Sequence, residues 1–270
     1  MPVLNGGVIT KDDYQIMLGW LDKEAFPILS NFDNLWAQIV ADNNCNKNYY
    51  DHIATWYGDV DYTYTGVRHH AQRWSSEFKE LAGFLSKEHG FKPGYFNCLL
   101  ANLYTNKGIA PHSDDEDIFR DAKGNIGAVA TVSLGGTATT TIINKKHYSA
   151  EPLKLKLRDM SCYVMPEGDF QDNYKHTVSK PEYYNPHNSH DEKIQGIPSY
   201  QRISLTFRHI PSVYAVDTWD KNHYFKKSKS IINGLVAIHK DTNEPCSMNP
   251  CTEALELQEL GINMEDKISC

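Results

Sequence analysis

Between residues 96 and 208 the sequence breaks into short runs, each too short for a stable helix and each closed by turn-forming residues. The runs are FNCLLANLY (96–104), AVATVSL (128–134), TATTTII (137–143), LKLKL (153–157), MSCYVM (160–165) and RISLTFR (202–208). Several alternate apolar and polar residues, the period-2 pattern of a strand with one face in a core. A series of short strands separated by Gly, Asn and Pro turns predicts a β-sandwich or jelly roll. The fold class expected is mainly β with flanking helices (α+β).

Helical signals lie before this region. Thr10 followed by Asp13 reads as a capping box that opens a helix through about residue 25, with Ile16, Leu18, Trp20 and Leu21 on its apolar side. Trp74, Phe78, Leu81 and Leu85 recur at helical spacing ahead of Gly90, which predicts a second helix. Residues 48–66, rich in Tyr, read as short strands with loops, and 181–199 as a long polar loop. The division expected is an N-terminal helical buttress (1–47), a main domain (48–210) and a C-terminal appendage (211–270), in which the pattern weakens.

Composition excludes some classes. The net charge of −7 does not advertise a large sequence-independent grip on nucleic acid, so any such grip is local. Two stretches offer local basic groups: Arg68, His69, His70 and Arg73, and Lys145, Lys146 and His147. No apolar run is long enough to span a bilayer. The six cysteines are sparse and read as reduced thiols, and MPVLNGGVITKDD lacks a secretory pattern, so an intracellular location is expected. A zinc site from His239, Cys246, Cys251 and Cys270 fits only loosely, with free thiols as the plainer reading.

Three pieces carry chemistry. His112 and Asp114, two apart on an extended segment, point to one side. With His176 they make a two-His, one-carboxylate facial triad, which leaves open positions on a ferrous ion for O2 and a chelating co-substrate. An HxD pair alone is weak evidence in a chain with twelve histidines. The last strand strengthens it. Arg202, Ser204, Thr206 and Arg208 alternate with Ile203, Leu205 and Phe207, so both arginines face one side. A buried strand face with two arginines needs anionic partners. One of them can grip a distal carboxylate bidentately while the other stands near the metal. Asn102 and Tyr104, also two apart, offer hydrogen bonds to the same cavity.

Together these residues resemble the AlkB family of Fe(II)- and 2-oxoglutarate-dependent dioxygenases. The resemblance runs through WYGDVDYTYTG (56–66), FNCLLANLY, HSDDE (112–116), TVSLG (131–135), the segment around His176, and RISLTFR. HSDDE and YGD…YTYTG are most similar to members that repair alkylated bases. RISLTFR, with Ser where many members have Asn, and MPEGDFQDNYKH (165–176) also resemble AlkB domains encoded by RNA viruses.

The resemblance implies a double-stranded β-helix (jelly-roll) core with iron at its mouth. His112, Asp114 and His176 would be the metal ligands. Arg202 would clamp the distal carboxylate of 2-oxoglutarate, Arg208 would sit by its metal end and Asp114, and Asn102, Tyr104 and Ser204 would complete the co-substrate site. A nucleotide-recognition lid would fall near 50–72, with Tyr57 and Tyr64 as stacking surfaces and Asp115 and Glu116 beside the target base. The cofactors implied are Fe(II), 2-oxoglutarate and O2. The implied reaction is oxidative removal of N-methyl groups from bases of DNA or RNA, releasing formaldehyde, succinate and CO2.

A stacked base cannot reach such a metal, so the partner expected is a single-stranded or flipped methylated base. The expected protein is a monomer with no membrane association. Two alternatives stand beside this reading. One is the same oxygenase chemistry on a substrate other than nucleic acid; the other is a catalytically inactive nucleic-acid-binding module.

Overall fold

The structure, a computed structural model, describes residues 5–43, 53–64, 67–105, 107–147, 149–182, 201–211, 223–227 and 235–239. Two antiparallel sheets make the body of the molecule. The larger takes its strands in the order β1 (Asn5–Lys11), β2 (Tyr14–Trp20), β11 (Ser161–Met165), β8 (Val129–Gly135), β13 (Arg202–Arg208), β6 (Cys98–Tyr104) and β3 (Ile53–Tyr57). The smaller runs β10 (Leu153–Leu157), β9 (Ala138–Asn144), β12 (Tyr174–Val178) and β7 (Ile109–His112). This is the expected jelly roll. The six runs expected to be strands are all strands, with ends shifted by at most two residues.

The alternation read in the sequence decides what each sheet face touches. On β13, Ile203, Leu205 and Phe207 join the large apolar cluster, together with Leu99, Ala101 and Leu103 of β6 and Val132 and Leu134 of β8. Helices α2 (Phe32–Asp42) and α3 (Ser76–Glu88) cover that face through Leu35, Ile39, Phe78, Leu81 and Leu85. Each helix has a side-chain cap: Asn31 accepts from the N–H of Asn34, and Ser75 from that of Phe78. A second cluster lies between the sheets and joins Ile16, Val129, Ile142, Leu155, Leu157, Tyr163 and Met165 with Phe170 and Tyr174. The polar residues of β13 and β6 face that inner side, towards one end of the sandwich.

The N-terminal helix expected from Thr10 is not there. Residues 5–20 form the β1–β2 hairpin, in which Lys11 pairs with Tyr14 around the two-residue turn Asp12-Asp13. Asp12 takes the left-handed backbone (φ 53°) that such a turn demands and that Asp tolerates. Tyr14, Ile16 and Leu18 alternate rather than following a helical stripe, and β2 extends the large sheet beside β11. Among the described residues 5–43, helix is confined to α1 (Pro27–Ser30) and α2.

The short strands β4 (Tyr62–Tyr64) and β5 (Val67–His69) pair with each other alone, as do β14 (His223–Lys227) and β15 (Leu235–His239) in the C-terminal stretch. The loop expected at 181–199 lies outside the described residues apart from 181 and 182, as do Cys246, Cys251 and Cys270 and the side chain of His239.

Candidate active site

The inner face of the large sheet is built in rows. Across β6, β13 and β8 the register aligns Asn102, Ser204 and Ser133 in one row and Leu100, Thr206 and Thr131 in the next. These rows floor a cavity of about 90 Å3, whose lining includes Asn102, Tyr104, Thr131, Tyr163, Ser204, Thr206 and Arg208. The smaller sheet supplies the opposite wall. There β12 pairs with β7 so that His176 stands directly across from His112.

Asp114 follows His112 on the segment leaving β7 and completes the cluster. One ligand atom from each of His112, Asp114 and His176 can be chosen so that all lie within 4.8 Å of one another. The Nε2 atoms of His112 and His176 lie 3.8 and 3.9 Å from the two Asp114 oxygens. His112 Nδ1 sits 2.9 Å from the Ala110 carbonyl, which assigns its proton to Nδ1 and leaves Nε2 as the free donor atom.

The charges suit a cation. Burial pushes the Asp114 carboxyl up, but the Arg208 guanidinium 2.6 Å away, with both histidines, pulls it down to about 2, so it is ionised at neutral pH. Its other oxygen, Oδ2, is buried without a hydrogen-bond partner. Burial drives the His176 imidazole down to about 3, against the pull of Asp114, so it is neutral and its lone pair is available. The backbone N–H of Asp114 donates to Gln171 Oε1 at 3.2 Å, and Ser113 Oγ donates to the Tyr174 carbonyl at 2.8 Å. Both tie the HxD segment to the approach to β12.

The two arginines of β13 differ. Arg208 pairs with Asp114 and lies over the Phe119 ring. Arg202 is 1% exposed and sits behind Tyr104 and Ser204, which line the cavity, with its Cζ 5.4 Å from the Tyr104 ring centre. Its Nε donates to Ser133 Oγ at 2.8 Å and its Nη2 to Ser204 Oγ at 3.4 Å; Nη1 is buried without a partner. Among the described residues no carboxylate pairs with Arg202, although a buried, unpaired cation is costly.

The substrate side is only partly as expected. Glu116 lines the cavity and accepts from Tyr62 Oη at 2.7 Å; burial and Asp114 raise its carboxyl, and Oε2 is buried without a partner. Asp115 does not line the cavity: it turns outward and pairs with Lys145 at 3.2 Å. Tyr57 does not either. Its strand puts it in register with Leu99, on the helix-facing side, where it is 1% exposed, packs on Phe78 and donates to Asp42 at 2.8 Å. It therefore offers no stacking surface. Tyr64 belongs to β4, but its side chain lies outside what is described.

On the Glu116 side the aromatic group that lines the cavity is Tyr62, with its ring 4.6 Å from that of Trp56 and 5.8 Å from that of His69, also a lining residue. Asp61 anchors their hairpin: it pairs with Arg68 at 2.6 Å and His70 at 3.0 Å and accepts from the N–H of Ala71 at 2.8 Å. The sequence does not single out Tyr62, Thr131 or Tyr163, and it marks His69 only as part of a basic stretch. Thr131 and Tyr163 were open to detection, since they sit at cavity-facing phases of strands already recognised; Tyr62 and His69 sit on a hairpin too short to show a phase.

A jelly roll with a His-Asp-His cluster at its mouth and a buried arginine that meets no carboxylate among the described residues defines a class: a metal-dependent oxygenase that takes an anionic co-substrate. The chain belongs to the 2OG-Fe(II) oxygenase superfamily, whose model matches residues 23–208. It is a 2-oxoglutarate-dependent dioxygenase, with Fe(II), 2-oxoglutarate and O2 as its cofactors. No curated protein matches its sequence. Among solved structures it is similar to OsALKBH1, at 13% identity and a TM-score of 0.53, over 75% of this chain and 100% of that one. At that identity the likeness is one of fold, and the fold is AlkB-like. The residues present fit the cofactors: an ionised carboxylate with an unpartnered oxygen, the neutral His176 imidazole and the outward Nε2 of His112 for the ferrous ion, and a buried cation for the co-substrate.

Proposed function

We propose that this dioxygenase removes N-methyl groups from nucleobases of single-stranded or flipped DNA or RNA. The observation that carries the reading is the wall formed by Tyr62, His69 and Glu116 beside the His-Asp-His cluster: flat rings at the cavity edge and a buried carboxylate oxygen with no partner of its own. Rings suit the face of an extruded base, and a buried acceptor suits an N–H on its edge. The AlkB-type fold and the resemblance in HSDDE and YTYTG support the same substrate class.

In this reading His112, Asp114 and His176 hold the metal, and Arg202 takes the distal carboxylate of 2-oxoglutarate at the end of the cavity marked by Tyr104 and Ser204. Asn102 and Tyr104 add hydrogen bonds along the co-substrate. Arg208 keeps Asp114 ionised and oriented. When bound, Fe(II) with 2-oxoglutarate and O2 supplies the oxidising power that hydroxylates the N-methyl carbon, whose product sheds formaldehyde. The chain's own contribution is position and enclosure: Tyr62 and His69 hold the base, and Glu116 fixes its edge.

One observation favours a second reading, an oxygenase acting on something other than nucleic acid. The cations near the mouth are already engaged: Arg68 with Asp61, Lys145 with Asp115, and Arg120 with Asp172 at 2.7 Å. Incubation with Fe(II), 2-oxoglutarate and N-methylated single-stranded DNA or RNA separates the two. The expected result is loss of the methyl group by mass spectrometry, absent in Asp114→Ala and His176→Ala. Methylated oligonucleotides left intact by a chain that still consumes 2-oxoglutarate would favour the second reading.

A further inference from the structure

Strand β13 carries two buried arginines on one face, one at each end, and treats them differently. Arg208 meets a carboxylate, Asp114, at 2.6 Å. Among the described residues Arg202 hydrogen-bonds hydroxyls, Ser133 at 2.8 Å and Ser204 at 3.4 Å, and no carboxylate. The two serines face each other across the β8–β13 pairing, and both are buried. They occupy Nε and Nη2, which share one edge of the planar guanidinium. Nη1, on the other edge, is buried and unpartnered.

An acid at either serine position would satisfy the same N–H groups and would also neutralise the cation. A hydroxyl satisfies them and leaves the charge in place. Of the five N–H donors of an arginine a carboxylate takes two, and a donor left buried without an acceptor costs about 1–3 kcal/mol. Arg202 therefore needs acceptors that hold its plane without competing for its charge.

We infer that Ser133 and Ser204 are positioning residues for the co-substrate: as uncharged acceptors they fix one edge of Arg202 and reserve its charge and its other edge for the distal carboxylate of 2-oxoglutarate. This rests on Arg202 as the carboxylate clamp and is independent of what the enzyme demethylates. It also gives Ser204, where many AlkB proteins carry an amide, a definite role: a hydroxyl that reaches the guanidinium rather than an amide. The distal carboxylate then becomes a requirement, because a 2-oxo acid without it leaves a buried cation unpaired.

The test uses the full chain loaded with Mn(II), without O2 turnover, and reads dissociation constants by calorimetry. The ligands are 2-oxoglutarate and oxalate; oxalate can chelate the metal and has no distal carboxylate. Ser133→Ala should weaken 2-oxoglutarate by about three- to tenfold, from the loss of one hydrogen bond at a charged group. Ser133→Asp places a rival carboxylate on Arg202 and should weaken it by about tenfold or more, while the metal-free protein melts no lower than the parent. Oxalate should bind all of them as it binds the parent.

Parental 2-oxoglutarate affinity in both Ser133 variants would overturn the inference, as would an equal loss for oxalate, which marks a merely structural role. If Ser133→Asp does not fold, Ser133→Ala decides alone. Arg202→Lys separates the layers. If it weakens 2-oxoglutarate while the serine variants do not, the clamp stands and the serine role falls. If it too binds like the parent, both fall.

Discussion

Asp114 and His176, 3.9 Å apart, both titrate below their ordinary range, which keeps the carboxyl ionised and the imidazole neutral, and both states favour metal binding. Burial keeps His176 neutral down to about pH 3, against an ordinary 6.5. The sign of the consequence follows. As pH falls from 6.5 towards 3 the unfolded chain takes up a proton at this histidine and the folded chain does not, so folding stability is lost through that window. Asp114 acts lower: its carboxyl lies at about 2 rather than 3.8, so its contribution is present above the ordinary value and disappears as pH approaches 2. The metal-free protein should therefore melt at falling temperatures as pH drops below about 6.5, and His176→Gln should flatten that decline. Parallel melting curves for parent and variant across the window would contradict this. The triad was legible because ligand chemistry restricts it to a few residue types and the HxD step shares one side of an extended chain. Ser204 was among the expected co-substrate residues, but Ser133 was not, because a serine on a strand looks the same whether it faces a cavity or fills space.

At the scale of elements, what was readable depended on whether a run shows its own phase. RISLTFR alternates over seven residues, so the side carrying Arg202 followed without knowledge of a partner, and the two-residue step from Asn102 to Tyr104 put that pair on one side of its strand. In TWYGDVDYTY aromatic residues occupy both phases, and only pairing with β6 decides that Ala54 and Trp56 share the face of Leu100 and Asn102 while Tyr57 shares that of Leu99. The N-terminal hairpin was misread because Thr10 and Asp13 match a capping box, whereas Asp12-Asp13 serves as a turn. Exchanging Tyr57 for Tyr62 changes what mutants should do. Tyr57→Ala removes a buried ring from the contact with α3 and should cost about 3 kcal/mol or more of stability, read by denaturant unfolding. Tyr62→Ala should weaken methylated single strands by the value of one stacked base, about 1–3 kcal/mol, and leave Mn(II) affinity at the parent's value. A stable Tyr57→Ala protein with weakened oligonucleotide binding would restore Tyr57 to the site.

At the scale of the whole molecule the chain carries a net charge of −7, and Arg68, Arg120 and Lys145 are held in ion pairs. Few phosphates can then be neutralised on binding. The salt dependence of oligonucleotide affinity should be shallow, with a log–log slope of about −2 to −3, and a slope near −6 would require a basic surface that the described residues do not present. Among those residues no helix is long and apolar enough to cross a membrane. The central claim is that the oxidising centre built by His112, Asp114, His176 and Arg202 is directed at an N-methyl carbon on a base. The most direct measurement is the yield of formaldehyde against succinate when the Fe(II)-loaded chain turns over 2-oxoglutarate with a methylated single-stranded oligonucleotide. The predicted result is one formaldehyde for each succinate, with neither formed by Asp114→Ala. Succinate that accumulates without formaldehyde, whichever methylated DNA or RNA strand is supplied, would contradict it.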